Sequence, residues 1–187
     1  IIMAALVISN PVWAELPDIS TVKPDLAVPD LSEKPPGAGR RVKAVLPDYE
    51  GTGVYHLLYL PSDWLPGRRY PVLVEYAGNG PYRDRNREVS SGRVEGSRMG
   101  YGISGGERYI WLCLPYLDGE GRANVRRWWG SKPEHDPQPT VHYCRQAVKH
   151  ICSEFGGDQE RLVLCGFSRG AIACNFIGLH DDQVASL

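Results

Sequence analysis

Residues 162–179 read Leu-Val-Leu-Cys-Gly-Phe-Ser-Arg-Gly-Ala-Ile-Ala-Cys-Asn-Phe-Ile-Gly-Leu. The first four are a short apolar run, as in a strand buried on both faces. The last nine, residues 171–179, are apolar almost all round, which fits a helix packed deep in a fold. Between them lies Gly-x-Ser-x-Gly, Gly166 to Gly170. A strand that turns sharply into a helix leaves little room at the turn, and glycines on either side of the serine let the two elements approach. The serine itself is then held in a strained backbone conformation with its hydroxyl exposed. The alternative is a structural turn serine.

The same five-residue pattern occurs at Gly102-Ile103-Ser104-Gly105-Gly106. There the flanks are wrong: polar Gly-Ser-Arg-Met-Gly-Tyr precedes it and a strand follows. Ser104 reads as an ordinary loop serine, and Ser168 as the candidate nucleophile.

Upstream, Pro71 to Ala77 (Pro-Val-Leu-Val-Glu-Tyr-Ala) and Tyr109 to Leu114 (Tyr-Ile-Trp-Leu-Cys-Leu) are two more nearly continuous apolar runs bounded by turn residues. Residues 54–60 form a compact strand that pairs as a hairpin with residues 42–46. Residues 141–155 carry Val141, Cys144, Val148, Ile151, Cys152 and Phe155 on one stripe at helical spacing, with Thr140 as N-cap and Gly156-Gly157 as stop. Strands alternating with helices predict a mostly parallel sheet in an α/β domain.

A serine hydroxyl is a weak nucleophile, and acyl transfer needs donors where negative charge develops on oxygen. One donor comes with the turn, the backbone N–H of Arg169, at the positive end of the following helix. The loop after residues 71–77 reads Ala77-Gly78-Asn79-Gly80-Pro81. Its glycines free the backbone to present a second amide, that of Asn79 or, next, Gly80; a simple Gly-rich turn is the other reading. Two long segments follow strand ends, where α/β sheets place ligands: residues 81–108 and 114–139. In the second, Trp128 and Trp129 either line an aromatic substrate pocket or anchor a long loop to the core. Arg126 and Arg127 either meet a carboxylate or form a solvated surface pair.

From residue 54 to 187 the order of strand, Ala-Gly-Asn-Gly loop, strand, helix, strand and Gly-Phe-Ser-Arg-Gly turn resembles the N-terminal part of an α/β-hydrolase. Tyr55 to Trp64 with Tyr70 to Gly80 is similar to the opening of exported bacterial esterases of the polyhydroxybutyrate-depolymerase and feruloyl-esterase kind. The resemblance implies a three-layer α/β/α fold with a mostly parallel sheet, truncated after the helix that follows Ser168, and a serine hydrolase acting on a small-molecule ester or acyl substrate without a cofactor. Prolyl-oligopeptidase-type peptidases share the Gly-Phe-Ser-Arg-Gly turn, and a non-catalytic binding module of the same fold is a third reading. Ala77 departs from the His that many esterases carry before the oxyanion glycines. In the family an acid and a His follow the serine in the chain. Here only His180, Asp181 and Asp182 do, and nine residues of helix carry them roughly 13 Å away. The triad is therefore expected to be incomplete and the 187-residue chain inactive alone.

Composition narrows the rest. With 21 basic and 22 acidic residues the chain has no field to hold nucleic acid. Residues 1–8 are too short for a membrane span, and with Val12-Trp13-Ala14 they resemble the back half of a secretory signal peptide, which predicts export; a buried N-terminal strand is the alternative. The domains expected are a partial leader at 1–14, a Pro-rich arm at 15–40 and the hydrolase-like part at 41–187. Cys113, Cys144, Cys152, Cys165 and Cys174 are an odd set with no CxxC pair. They read as small buried hydrophobes, and no spacing suits zinc.

Overall fold

The computed structural model describes residues 16–18, 21–85, 89–129 and 132–180. The expected leader and the acids Asp181 and Asp182 lie outside them. Among the described residues nine strands and three α-helices follow one another. They are β1 (Arg41–Ala44), β2 (His56–Tyr59), β3 (Tyr70–Tyr76), β4 (Tyr82–Arg83), β5 (Val89–Ser90), α1 (Met99–Ser104), β6 (Ile110–Leu114), β7 (Tyr116–Leu117), β8 (Asn124–Val125), α2 (Gln138–Phe155), β9 (Gly157–Gly166) and α3 (Arg169–His180).

Five strands form one sheet in the order β1-β2-β6-β3-β9. The β1–β2 hairpin is antiparallel, with Val42 opposite Leu58, and β2 is antiparallel to β6. β3 is parallel to β6 and to β9, pairing Val74 with Leu112 on one side and Leu164 on the other. Four strands therefore run one way and β2 alone runs against them. The predicted strands are all present; β9 begins earlier than expected, at Gly157.

Alternation along β3 and β6 divides the core. Val72, Val74, Tyr76, Ile110, Leu112 and Leu114 face α2 and α3, against Val141, Cys144, Val148, Ile151, Ala173 and Ile177. Leu73, Trp111 and Cys113 face the other way, with Leu57, Tyr59 and Val94. Each fully buried Leu, Ile or Val in these layers contributes about 2 kcal/mol. The Pro-rich arm lies against this second side: Val28 packs there, and Leu31 and Ala38 bridge to Arg41 and Leu60.

Three expectations change. Thr140 is the third residue of α2, buried, its Oγ1 accepting the Leu117 N–H at 3.0 Å. The helix starts earlier because Asp136 accepts the Gln138 amide at 2.9 Å and Pro139 suits a first turn. The second is α3, which is not packed deep all round: Ala173, Cys174 and Ile177 are buried, whereas Ile172 is 49% and Leu179 72% exposed. The cause is β9, outermost in the sheet, so that α3 covers one side of an edge and has nothing beyond it among the described residues. The third is residues 81–108, expected to be too polar and Gly-rich for a strand; their described residues include the antiparallel β4–β5 pair, a 3-10 turn at Val94–Gly96 and α1.

The Glu75 carboxylate carries a signal that the pattern of apolar runs hides. It lies within buried β3, 3% exposed. Its Oε1 accepts the Arg98 and Met99 amides at 3.0 and 3.1 Å, and its Oε2 accepts the Gly100 amide at 2.7 Å and Trp111 Nε1 at 2.9 Å. One buried carboxylate thus satisfies the open N-terminus of α1 and pins it to the sheet. Gly100 has no room for a side chain there, since a Cβ would stand 2.3 Å from the Trp111 ring. An acid inside an apolar strand was the available clue, because a buried charge has to be paired.

Candidate active site

β9 ends at Gly166 and α3 starts at Arg169, so Phe167 and Ser168 make the whole turn. Ser168 has φ 55°, left-handed backbone that a side chain disfavours by about 1–3 kcal/mol. Its two glycines are held by close packing. A Cβ on Gly166 would stand 2.4 Å from the Gly170 carbonyl carbon, and one on Gly170 would stand 2.2 Å from the Tyr76 oxygen. The turn is closed by Gly170 N–H to the Phe167 oxygen at 2.8 Å and Ala171 N–H to the Ser168 oxygen at 3.0 Å, and docked to β3 by Phe167 N–H to the Tyr76 oxygen at 3.4 Å.

Ser168 is exposed, and among the described residues its Oγ has no hydrogen-bond partner. The Arg169 amide, first of α3, likewise has no acceptor among them. It lies at the N-terminal end of α3 beside the exposed serine, where unpaired N–H groups and the dipole favour negative charge.

The loop after β3 is stitched to residues 126–128. Trp128 N–H donates to Asn79 Oδ1 at 2.6 Å and Asn79 Nδ2 to the Trp128 oxygen at 3.2 Å. Arg127 Nε donates to the Gly80 oxygen at 3.2 Å. The Gly80 amide is engaged too, donating to the Arg126 oxygen at 2.8 Å. That removes Gly80 as a donor to a reacting oxygen. The Asn79 amide has no acceptor among the described residues, while both ends of its side chain bond the Trp128 backbone. Ala77, next to the loop, accepts the Tyr116 hydroxyl, and Tyr116 stacks on Tyr76 at 5.5 Å.

A cavity of about 430 Å3 opens between the two loops, walled by Asn79, Tyr82, Arg127, Trp129, Phe167, Ser168 and Arg169 among others. Ser168, Arg169, Asn79, Gly80 and Trp129 are thus brought to one place. Trp128 is not. It is 1% exposed and packs on Tyr116, Phe176 and His135 at 5.8, 5.6 and 5.0 Å, an anchor that holds the segment to the core. The neighbouring arginines part company as well: Arg126 lines a separate cavity of about 230 Å3 beside Tyr55 and Asn124.

Ser104 differs in every respect. It ends α1, its Oγ donating to the Tyr101 oxygen at 3.3 Å and accepting the Gly106 amide at 3.1 Å. The expected loop serine is a helix-terminal one.

The other nucleophile and base candidates are occupied elsewhere. Burial pushes the thiols of Cys165 and Cys174 up to about 12, so both stay neutral and unreactive, and Cys174 Sγ donates to the Cys165 oxygen at 3.1 Å. None of the five cysteines is joined in a disulfide among the described residues. His56 is buried beside Tyr143, 2.7 Å from its hydroxyl, and burial holds it down at about 3. His150 lies against Phe155, and exposed His142 lines a shallow depression with Asp136 and Arg145. α3 runs to His180, at the end of the helix far from Ser168. Among the described residues no cluster of acids, histidines and cysteines is placed to hold a metal ion, and no helix is long and apolar enough to cross a membrane.

No protein-family model and no curated protein matches the chain. Solved structures similar to it include a thermostable esterase, 17% identical, with a TM-score of 0.48 over 77% of this chain and 38% of that one. Another is a ferulic acid esterase from Anaeromyces mucronatus in complex with ferulic acid, 18% identical, TM-score 0.44, over 76% of this chain and 53% of that one. A third is a glucuronoyl esterase from Solibacter usitatus, 17% identical, TM-score 0.40, over 70% and 41%. The chain spans about 38–53% of the length of these esterases.

Proposed function

We propose that the chain carries the nucleophile and the oxyanion hole of an α/β-hydrolase-type serine hydrolase acting on carboxylic esters. The observation that carries this reading is Ser168 at φ 55° between β9 and α3, a strained serine held with its hydroxyl open to a cavity. Ser168 Oγ attacks the ester carbonyl carbon, and the carbonyl π electrons move onto oxygen. That oxygen sits between the Arg169 and Asn79 N–H groups, the first aided by the α3 dipole. Collapse expels the alcohol, which takes the proton lost by Oγ, and water then cleaves the acyl-serine to the acid.

A hydroxyl without a base is a weak nucleophile, and Ser168 Oγ has no imidazole partner among the described residues. Preorganised donors alone still leave acceleration of roughly 1000-fold over water in such sites. The 187-residue chain therefore reacts slowly but selectively. The test is prolonged incubation with a fluorophosphonate probe, read by intact mass. One adduct, lost in Ser168→Ala and kept in Ser104→Ala, supports the reading; no adduct, or one that survives Ser168→Ala, removes it.

A further inference from the structure

The cavity at Ser168 is lined by two arginines, Arg127 and Arg169, and by no acid among the described residues. Arg127 is held in place twice. Its Nε donates to the Gly80 oxygen at 3.2 Å, and its guanidinium carbon stands 5.1 Å from the centre of the Trp129 ring. Cation–π contact and a bonded Nε restrain the side chain, so its remaining N–H groups can bind with little further loss of rotamer freedom. Neither guanidinium has a carboxylate partner among the described residues, and two like charges on one cavity wall disfavour each other until an anion joins them. Beside them stand two partly exposed rings that also wall the cavity, Tyr82 and Phe167, each 55% exposed. Both carry apolar surface into a cavity otherwise rich in donors.

From this arrangement we propose that the cavity selects ligands carrying a carboxylate on a flat ring, the anion held by Arg127 and Arg169 and the ring by Tyr82 and Phe167. This rests on the ester-hydrolase reading for its consequence, namely that the preferred substrate is a monoanionic aromatic ester. The binding itself does not depend on any chemistry at Ser168. Planar donor pairs on Arg match a carboxylate, which a neutral amide of the same shape cannot replace.

The experiment uses the 187-residue chain with Ser168→Ala, titrated by ligand-observed NMR with 4-hydroxybenzoate and with 4-hydroxybenzamide. The benzoate binds about tenfold tighter, and the gap closes to less than about threefold when Arg127→Gln or Arg169→Gln is added. Rising salt narrows the gap in the parent. Both arginines reach solvent, and Arg169→Gln leaves the Gly80 contact intact, so a loss seen in both variants is a loss of charge and not of folding. Equal affinity for the two probes, or a benzoate preference that survives both substitutions, overturns the proposal. A second arm compares 4-acetoxybenzoate with 4-acetoxybenzamide on the chain with Ser168 present. Cleavage of both with equal kcat/KM ends the charge selectivity and leaves the hydrolase reading. No fluorophosphonate adduct at Ser168, with benzoate binding kept in the Ser168→Ala form, ends the hydrolase reading and leaves the anion site.

Discussion

Residues 102–106 and 166–170 obey one five-residue pattern and are built in opposite ways. In the first, the serine closes a helix and spends its hydroxyl on the Tyr101 oxygen and the Gly106 amide. The left-handed conformations fall on glycines, Gly105 at φ 63° and Gly106 at φ 79°, where they cost little. In the second, the serine itself takes φ 55°, and the glycines are fixed by what presses on them. The difference lies in the flanks. β9 is bonded along β3 through Tyr76 and Gly166, and α3 is packed onto the same strands, so the two elements determine the turn between them. Strain persists only where the surroundings over-determine it, and the resulting hydroxyl has nothing to bond with among the described residues except what enters the cavity.

Substitutions test that contrast in decreasing order of effect. Gly170→Ala drives a methyl to within 2.2 Å of the Tyr76 oxygen. Backbone cannot yield as a side-chain tip can, so urea unfolding should report a loss of about 3 kcal/mol. Glu75→Gln puts an NH2 group against two of its four donors, and a loss of about 2 kcal/mol is expected, confined to the α1 side, with fluorophosphonate reactivity at Ser168 kept. Ser168→Gly should stabilise the fold by about 1 kcal/mol while abolishing probe labelling, because glycine accepts φ 55° freely. Gly102→Ala is the mild counterpart of Gly170→Ala. It lies in α1 with nothing within 4 Å of its Cβ, and it should raise stability by about 0.5 kcal/mol.

Much of this contrast was legible in the sequence, because strands and helices announce themselves by periodicity. The runs 162–165, 71–77 and 109–114 form strands and residues 171–179 a helix, as their patterns imply. Ser168 stood apart from Ser104 on flanks alone. What the sequence concealed depends on partners distant in the chain. Gly80 looks as free as Asn79 until the Arg126 oxygen takes its amide. Trp128 and Trp129 are adjacent and alike, yet one is buried under Tyr116 and Phe176 and the other walls the cavity. Thr140 resembles an N-cap because the local code cannot see that Leu117 claims its hydroxyl. The apolar girth of α3 reads as deep burial, since no local signal tells that β9 is the outermost strand.

The central claim, that Ser168 and not Ser104 is the acyl acceptor, is tested most directly by trapping the acyl group itself. The chain is incubated with p-nitrophenyl acetate, quenched in acid and digested with trypsin, which separates residues 162–169 from residues 99–108. An acetyl group on the peptide 162–169, located at Ser168 by fragmentation and absent from 99–108, is the predicted result. Acetylation of Ser104, or equal and slow acetylation of both peptides, would contradict the account.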